Sequence, residues 1–128
     1  MSGDFNIEIE YKHVPRLESG SDASIEYLEE HGYVVIKNAL SESEAAKTLD
    51  LLWDYLEELN TGIDRNNPST WEDDRWPTCA HGGIMPSYGI GHSESQWYLR
   101  GIPNVKKAFA KIWDSDDLLT SFDGVSLW

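Results

Sequence analysis

The sequence has one cysteine, no long apolar run and few basic residues, and each shortage excludes a class of protein. Cys79 is the single cysteine, so no disulfide forms within the chain and no cysteine pair offers metal-site spacing. No stretch approaches the roughly 18 consecutive apolar residues of a membrane-spanning helix. The first residues also lack the basic start and apolar run of a secretory signal. We therefore expect a cytoplasmic protein that makes no membrane contact.

The scarcity of basic residues argues against a nucleic-acid partner. Ten lysines and arginines face 23 acidic residues, which gives a formal net charge of -13 at pH 7. Binding to a phosphate backbone needs clustered basic side chains, which this composition does not favour. Hydrophobic residues make up 40% of the 128 residues and aromatic residues 12%, enough apolar material for one globular domain. The sequence therefore predicts an acidic, globular protein.

The first half of the chain contains two predicted helices and a strand between them. Residues 23–31 have amphipathic spacing that ends at Gly32, a residue suited to a left-handed helix cap. Tyr33 to Lys37 is rich in β-branched residues and is predicted to be a strand. Ser41 and Glu44 form a capping box, and the apolar stripe behind it predicts a helix that covers a sheet. An alternating run over residues 5–11 is a further candidate edge strand.

The second half begins with a long irregular section over residues 62–91, whose tryptophans favour a loop packed onto the rest of the protein. A second capping box follows at Ser93 and Gln96, and Pro103 is placed to begin another helix. That helix has an apolar face made by Val105, Ala108, Phe109, Ile112 and Trp113. Phe109 and Trp113, together with Trp97, are interpreted as core rather than as a ligand platform. Residues 118–123 then form a predicted strand.

Three residues invite a metal hypothesis, namely His81, His92 and Glu94. His92-Ser93-Glu94 has the His-x-carboxylate form found in non-haem iron sites. Glu94, however, falls in the first turn of a predicted helix, where an acidic side chain is favoured by the helix dipole. No histidine follows later in the sequence to complete the ligand set. The helix-capping interpretation is therefore favoured over a metal site.

Cys79 and the neighbouring glycines offer two other kinds of chemistry. A nucleophilic cysteine needs a positioned base, and closeness of His81 in sequence does not supply that geometry. Gly82-Gly83 and Gly89-Ile90-Gly91 lack the lysine and strand-loop-helix context of a phosphate-binding loop. A structural thiol and ordinary loop glycines are the favoured interpretations.

Two stretches of the sequence resemble the phytanoyl-CoA dioxygenase-like branch of the iron(II)- and 2-oxoglutarate-dependent dioxygenases. They are HGYVVIKNALSESEA, residues 31–45, and IMPSYGIGHSESQWYLRGIPNVKKAFAKIWDSDDLLTSFDGVSLW, residues 84–128. The resemblance as a whole extends over roughly residues 23–124. The resemblance implies an α+β fold, with N-terminal helices packed on the first strands of an incomplete double-stranded β-helix, or jelly roll. Residues 1–22 would be an N-terminal arm, and residues 23–128 the N-terminal part of the dioxygenase domain.

The resemblance also implies cofactors that this chain does not hold alone. The family binds iron through a His-x-Asp pair and a later histidine, and it binds 2-oxoglutarate through an arginine near the last ligand. The family's His-x-Asp pair follows the strand that resembles residues 118–123, so no histidine here matches a ligand. We expect neither iron(II) nor 2-oxoglutarate to bind the isolated chain. By resemblance, Ser121 and Asp123 line the co-substrate site, and His81, Tyr88 and His92 the substrate side.

These observations lead to a function prediction with an alternative. The chain is expected to be a truncated or split N-terminal portion of a hydroxylase, inactive alone, that meets a small-molecule substrate only when a C-terminal half completes it. The alternative is a non-catalytic α+β interaction module that forms homo-oligomers through its exposed strand edge. A new metal enzyme using His81, His92 and Glu94 is a third hypothesis.

Overall fold

The computed structural model describes residues 13–72, 74–77 and 83–126, which form an α+β fold. The predicted α+β class is therefore confirmed. Within the described residues the helices are α1 (Asp22–His31), α2 (Glu42–Glu58), α3 (Glu94–Gly101) and α4 (Pro103–Trp113). The strands are β1 (Arg16–Leu17), β2 (Val35–Ile36), β3 (Ile84–Met85) and β4 (Val125–Ser126). None of these helices is both long and apolar enough to cross a membrane.

α1 and β2 form as the sequence predicts. Gly32 ends α1 in the left-handed conformation at φ 76°, and its N–H donates to the carbonyl of Leu28 at 2.8 Å. β2 pairs in parallel with β1, in the register that places Arg16 opposite Val35. The Lys37 N–H extends this pairing to the Leu17 carbonyl at 2.8 Å. The candidate strand over residues 5–11 lies outside the described residues.

α2 begins at the predicted capping box and packs against both α3 and the β3–β4 pair. The Ser41 side chain accepts from the Glu44 N–H, and the Glu44 carboxylate accepts from the Ser41 N–H at 2.8 Å. The largest helix-to-helix contact of α2 is with α3, where the buried Ser95 hydroxyl donates to the Thr48 carbonyl at 3.0 Å. α2 also packs on the β3–β4 pair, since Leu56 is buried with Met85 and Val125 lies against the same cluster. The sheet that it covers is small, because each of these strands has only two residues.

The core lies where α2 meets the loop that follows it. Leu56, Ile63, Met85 and Ile90 are buried together there. The partly buried side chains packed around them are Leu52, Trp53, Tyr55, Trp76 and Val125. Three of the four buried residues lie within residues 62–91 rather than in the α-helices, so this section is an integral part of the core.

Aromatic stacking holds the irregular section onto α2. Trp71 stacks on Trp53 at 5.2 Å between ring centroids, and Trp76 lies 6.0 Å from the same ring. The Trp71 indole N–H also donates to the Asp64 carbonyl at 2.8 Å. The prediction that the tryptophans pack this loop down is confirmed.

The predicted strand over residues 118–123 is wrong. These residues pair with none of the described strands. The strand β4 begins at Val125, two residues after the predicted strand ends. β4 pairs antiparallel with β3, with Met85 opposite Val125. Leu118, Leu119 and Phe122 are exposed in the structure instead of being buried against a sheet. The strand edge expected there, which the oligomer hypothesis used, is therefore not found at these positions.

The apolar face of α4 is not core. Phe109 is 55% exposed and Trp113 is 68% exposed, and Trp97 of α3 is 47% exposed. The helical pattern correctly predicts α4 and its start at Pro103. The core assignment is wrong because periodicity shows which residues share a face but not what covers that face.

Candidate functional site

The C-terminal tail, residues 118–126, closes against the start of α3 at one glycine. A Cβ atom at Gly91 would lie 2.9 Å from the Asp123 carbonyl oxygen and 3.1 Å from the Phe122 carbonyl carbon. Real Cβ contacts of that kind are essentially absent from proteins, so only glycine permits this approach. The tail therefore places Phe122 and Asp123 directly beside Gly91 and its neighbour His92.

His92 lies among aromatic rings. Its imidazole centroid is 4.3 Å from the Phe122 ring and 6.1 Å from the Trp97 ring, with tilted geometry in both cases. This residue ends a 3-10 turn at Ile90–His92, and the next residue, Ser93, caps α3 by accepting from the Gln96 N–H at 3.4 Å. His92 thus packs between an aromatic ring of α3 and one of the tail.

An iron centre does not fit the described residues. Among them, no three histidine, cysteine or acidic side chains lie close enough together to share a metal ion. Glu94 is in the first turn of α3, as the helix-capping interpretation predicts. His81 and Cys79 lie outside the described residues, so the hypotheses that use them stay predictions.

Arg100 connects α3 to the Gly91 turn. Its Nη1 donates to the Gly91 carbonyl at 2.5 Å, and its guanidinium carbon lies 5.3 Å from the centre of the Trp97 ring. Cation–π contacts of this kind stabilise by about 0.5–1 kcal/mol at exposed sites. The same residue is one of two cations that line a neighbouring cavity, so it lies between that cavity and the turn that contains His92.

The cavity lies between α4 and the tail and has a volume of about 650 Å³. We call it the α4 groove. Its apolar lining comes from both sides: Val105, Phe109, Ala110, Trp113, Leu118 and Leu119. Its polar lining is Arg100, Lys106, Asp116, Thr120 and Ser121. Volumes of about 300–1,000 Å³ with mostly apolar walls are typical of ligand pockets, and exposed apolar grooves also mark protein contacts.

Tyr88 is tied to α2 through its backbone. It has a φ of 63°, which a bulky residue rarely adopts, and Gly89 follows at 74°. The Tyr55 hydroxyl donates to the Tyr88 carbonyl at 2.5 Å. Burial raises the pKa of the Tyr55 phenol, which keeps this donor protonated. The strained turn is thereby fixed to α2, and the Tyr88 side chain is 55% exposed.

The structure brings together some of the residues that the sequence singled out. The Gly91 contact places the backbone of Asp123 beside the turn that contains His92, whereas Ser121 lies in the α4 groove. Tyr88 belongs to the turn that precedes them and contacts α2. No role in the site was predicted for Arg100 from the sequence. Arg100 nevertheless lies shortly after Trp97 in the second stretch that resembles the dioxygenase family.

Two known proteins are similar to this chain over about three quarters of its length. One is the "Ava biosynthesis cluster protein O" of Aspergillus versicolor, 38% identical over 96 residues, which are 75% of this chain and 31% of that protein. The other is a protein of Dictyostelium discoideum named "Putative phytanoyl-CoA dioxygenase", 32% identical over 103 residues, 77% of this chain and 29% of that protein. The chain thus spans about a third of the length of these relatives. No family model matches the chain, and no solved structure matches it.

Proposed function

Because the chain is related in sequence to a phytanoyl-CoA dioxygenase-like protein over about three quarters of its length, we propose that it forms the helical part of an iron(II)- and 2-oxoglutarate-dependent hydroxylase. The identity of 32% over 103 residues is the observation that carries this proposal. The proposed activity is that of a whole domain, of which this chain supplies about a third of the length found in the relatives.

In this proposal the metal centre comes from sequence outside the 128 residues. The described residues hold no set of three metal ligands. In each relative the sequence outside the matched segment is more than twice as long as that segment, and it would supply the ligands. That further chain would form the jelly roll, and iron(II) bound there would activate oxygen with 2-oxoglutarate as co-substrate. The present chain alone would be inactive.

The residues of this chain would form part of the wall of the reaction site. Ser121 and Asp123 would line the side where 2-oxoglutarate binds, and His81, Tyr88 and His92 the side of a small-molecule substrate. The Gly91 contact supports a shared site for two of these residues, because it holds the tail that carries Asp123 against the turn that carries His92.

Production of succinate from 2-oxoglutarate tests the proposal. The purified chain, supplied with iron(II), ascorbate and 2-oxoglutarate, should release no succinate above a protein-free control. A graft, in which this chain replaces the matched segment of the Dictyostelium protein, should release succinate in proportion to enzyme concentration. Succinate from the chain alone would contradict the inactive-alone proposal, and a folded graft without turnover would contradict the dioxygenase assignment.

A non-catalytic interaction module is the second candidate function, and the α4 groove is the observation that favours it. Three large apolar side chains there, Phe109, Trp113 and Leu119, are more than half exposed. A module of this kind would bury the groove in a homo-oligomer without any iron chemistry. Sedimentation of the pure chain distinguishes the two candidates, since the module should be a dimer or larger at micromolar concentration.

A further inference from the structure

The α4 groove has the exposure of an interface rather than of an ordinary protein surface. Leu119 is fully exposed at 102%, and Trp113 and Phe109 are 68% and 55% exposed. These three side chains line one cavity, so their apolar surface is continuous. Monomeric soluble proteins rarely leave contiguous apolar patches larger than a few hundred Å² uncovered. A polypeptide is therefore expected to cover this groove.

The relatives indicate which polypeptide that is. Each matches this chain over only about 30% of its own length, so each has a large further chain available to pack against the equivalent surface. α4 has an apolar face that stays largely exposed among the described residues of this chain, and each relative has a long sequence that this chain does not match. The second observation supplies a polypeptide that could cover that face. They favour a contact within one folding unit over a contact with an unrelated protein.

Charge argues against a second copy of this chain as the occupant. Two copies would bring together a formal charge of -13 each, which opposes association through mutual repulsion. The polar lining of the groove, in contrast, has two cations, Arg100 and Lys106, and one anion, Asp116. A partner surface that is mainly apolar and carries a carboxylate at its edge fits this lining, provided that the partner as a whole is less acidic than this chain.

We propose that the α4 groove is the docking surface for the remainder of the dioxygenase domain, which inserts apolar side chains against Phe109, Trp113 and Leu119. This inference rests on the proposed function, because it takes the relatives' unmatched sequence as the occupant. It assigns α4 and the tail to an internal interface of the complete domain.

Hydroxyl-radical footprinting of the isolated chain and of the graft tests the assignment. In the graft, labelling of Phe109, Trp113 and Leu119 should fall by roughly three quarters or more, because contact with neighbouring side chains removes most of their exposed surface. Leu49 on α2, which is 54% exposed and does not line the groove, is the internal control and should keep most of its label.

A matched pair of variants separates docking from folding. Leu119→Asp should leave the melting temperature of the isolated chain unchanged, since that side chain is fully exposed, and should lower that of the graft by about 4 °C or more. Leu49→Asp, the same change outside the groove, should shift the melting temperatures of chain and graft equally.

The following results would count against the docking surface. Equal labelling of the groove in chain and graft, or an unchanged melting temperature of the Leu119→Asp graft, would overturn it. A dimer of the isolated chain that protects the groove would assign the surface to a second copy instead. Succinate production is read separately: a graft that buries the groove without turnover would leave the docking surface standing and contradict only the proposed function.

Discussion

At the scale of single residues, two glycines determine how the tail closes. A Cβ atom at Gly124 would lie 2.6 Å from the Met85 carbonyl oxygen, and one at Gly91 would lie 2.9 Å from the Asp123 carbonyl oxygen. Both obstacles are backbone atoms, which cannot rotate away as the end of a side chain can. These two positions therefore connect the tail to β3 and to the His92 turn.

Gly124→Ala should destabilise the chain by about 1–3 kcal/mol, because the added methyl group forces β3 and β4 apart. Gly101→Ala is the matched control, since nothing lies within 4 Å of a Cβ there, at the end of α3. That change should be neutral or stabilising by up to about 1 kcal/mol. Urea unfolding of both variants checks the pair, and equal losses would contradict the close approach.

An ion-pair cluster fixes the loop after α2 to the helix. The Arg65 side chain and backbone N–H both donate to Glu57, at 2.8 to 3.0 Å, and the guanidinium also contacts Asp54. The side-chain hydrogen bond from Arg65, followed by its backbone N–H, lowers the pKa of Glu57. The chain's stability therefore depends on this carboxylate remaining ionised.

Stability should fall as the pH drops below about 4.3, the ordinary pKa of an unfolded glutamate. Below that value Glu57 binds a proton in the unfolded chain but stays ionised in the folded chain, so stability falls as the pH drops. Once the pH is below the lowered folded pKa, the contribution of Glu57 to stability is fully lost. Glu57→Gln should flatten this part of the stability curve. Denaturant unfolding at several pH values measures it, with exposed Glu58→Gln as the control, and identical curves for Glu57→Gln and the parent would contradict the assignment.

At the scale of secondary-structure elements, local rules predicted the helix ends well. The capping box of Ser41 and Glu44, the left-handed cap at Gly32 and the start of α4 at Pro103 are all present. Each depends on atoms within a few residues of one another, so sequence alone specifies them. Sequence is least informative where an element depends on a distant partner.

Ser41→Ala should cost about 1 kcal/mol, because the Glu44 N–H loses its side-chain acceptor. Ser41→Asp should restore most of that stability, since aspartate is an equally good helix N-cap. Thermal unfolding followed by circular dichroism measures both variants. Equal destabilisation by the two substitutions would show that the hydroxyl contributes through packing rather than through capping.

The errors of prediction share one physical cause. Residues 118–123 have the composition of a strand, but the register of β3 places its ladder at Val125 and Ser126 instead. α4 has the pattern of a core helix, but Phe109 and Trp113 stay more than half exposed among the described residues. In each case the outcome depends on a distant segment, which a local pattern does not contain. The contact between His92 and the tail was missed for the same reason.

At the scale of the whole molecule, the chain combines a small core with a large uncovered groove. The core lies between α2 and the irregular section, whereas the apolar surface of α4 and the tail faces outwards. Both similar proteins are about three times as long as the segment that they share with this chain. These facts support our proposal that the chain forms the helical part of a dioxygenase domain whose metal centre would come from further sequence.

Anaerobic titration of the pure chain with iron(II), followed by calorimetry in the presence and absence of 2-oxoglutarate, tests this account most directly. We predict no saturable binding of one iron per chain and no enhancement by 2-oxoglutarate. The His92→Ala variant should give the same titration curve as the parent. Saturable binding of one iron that 2-oxoglutarate strengthens and that His92→Ala abolishes would contradict the account, because the chain would then hold a metal centre of its own.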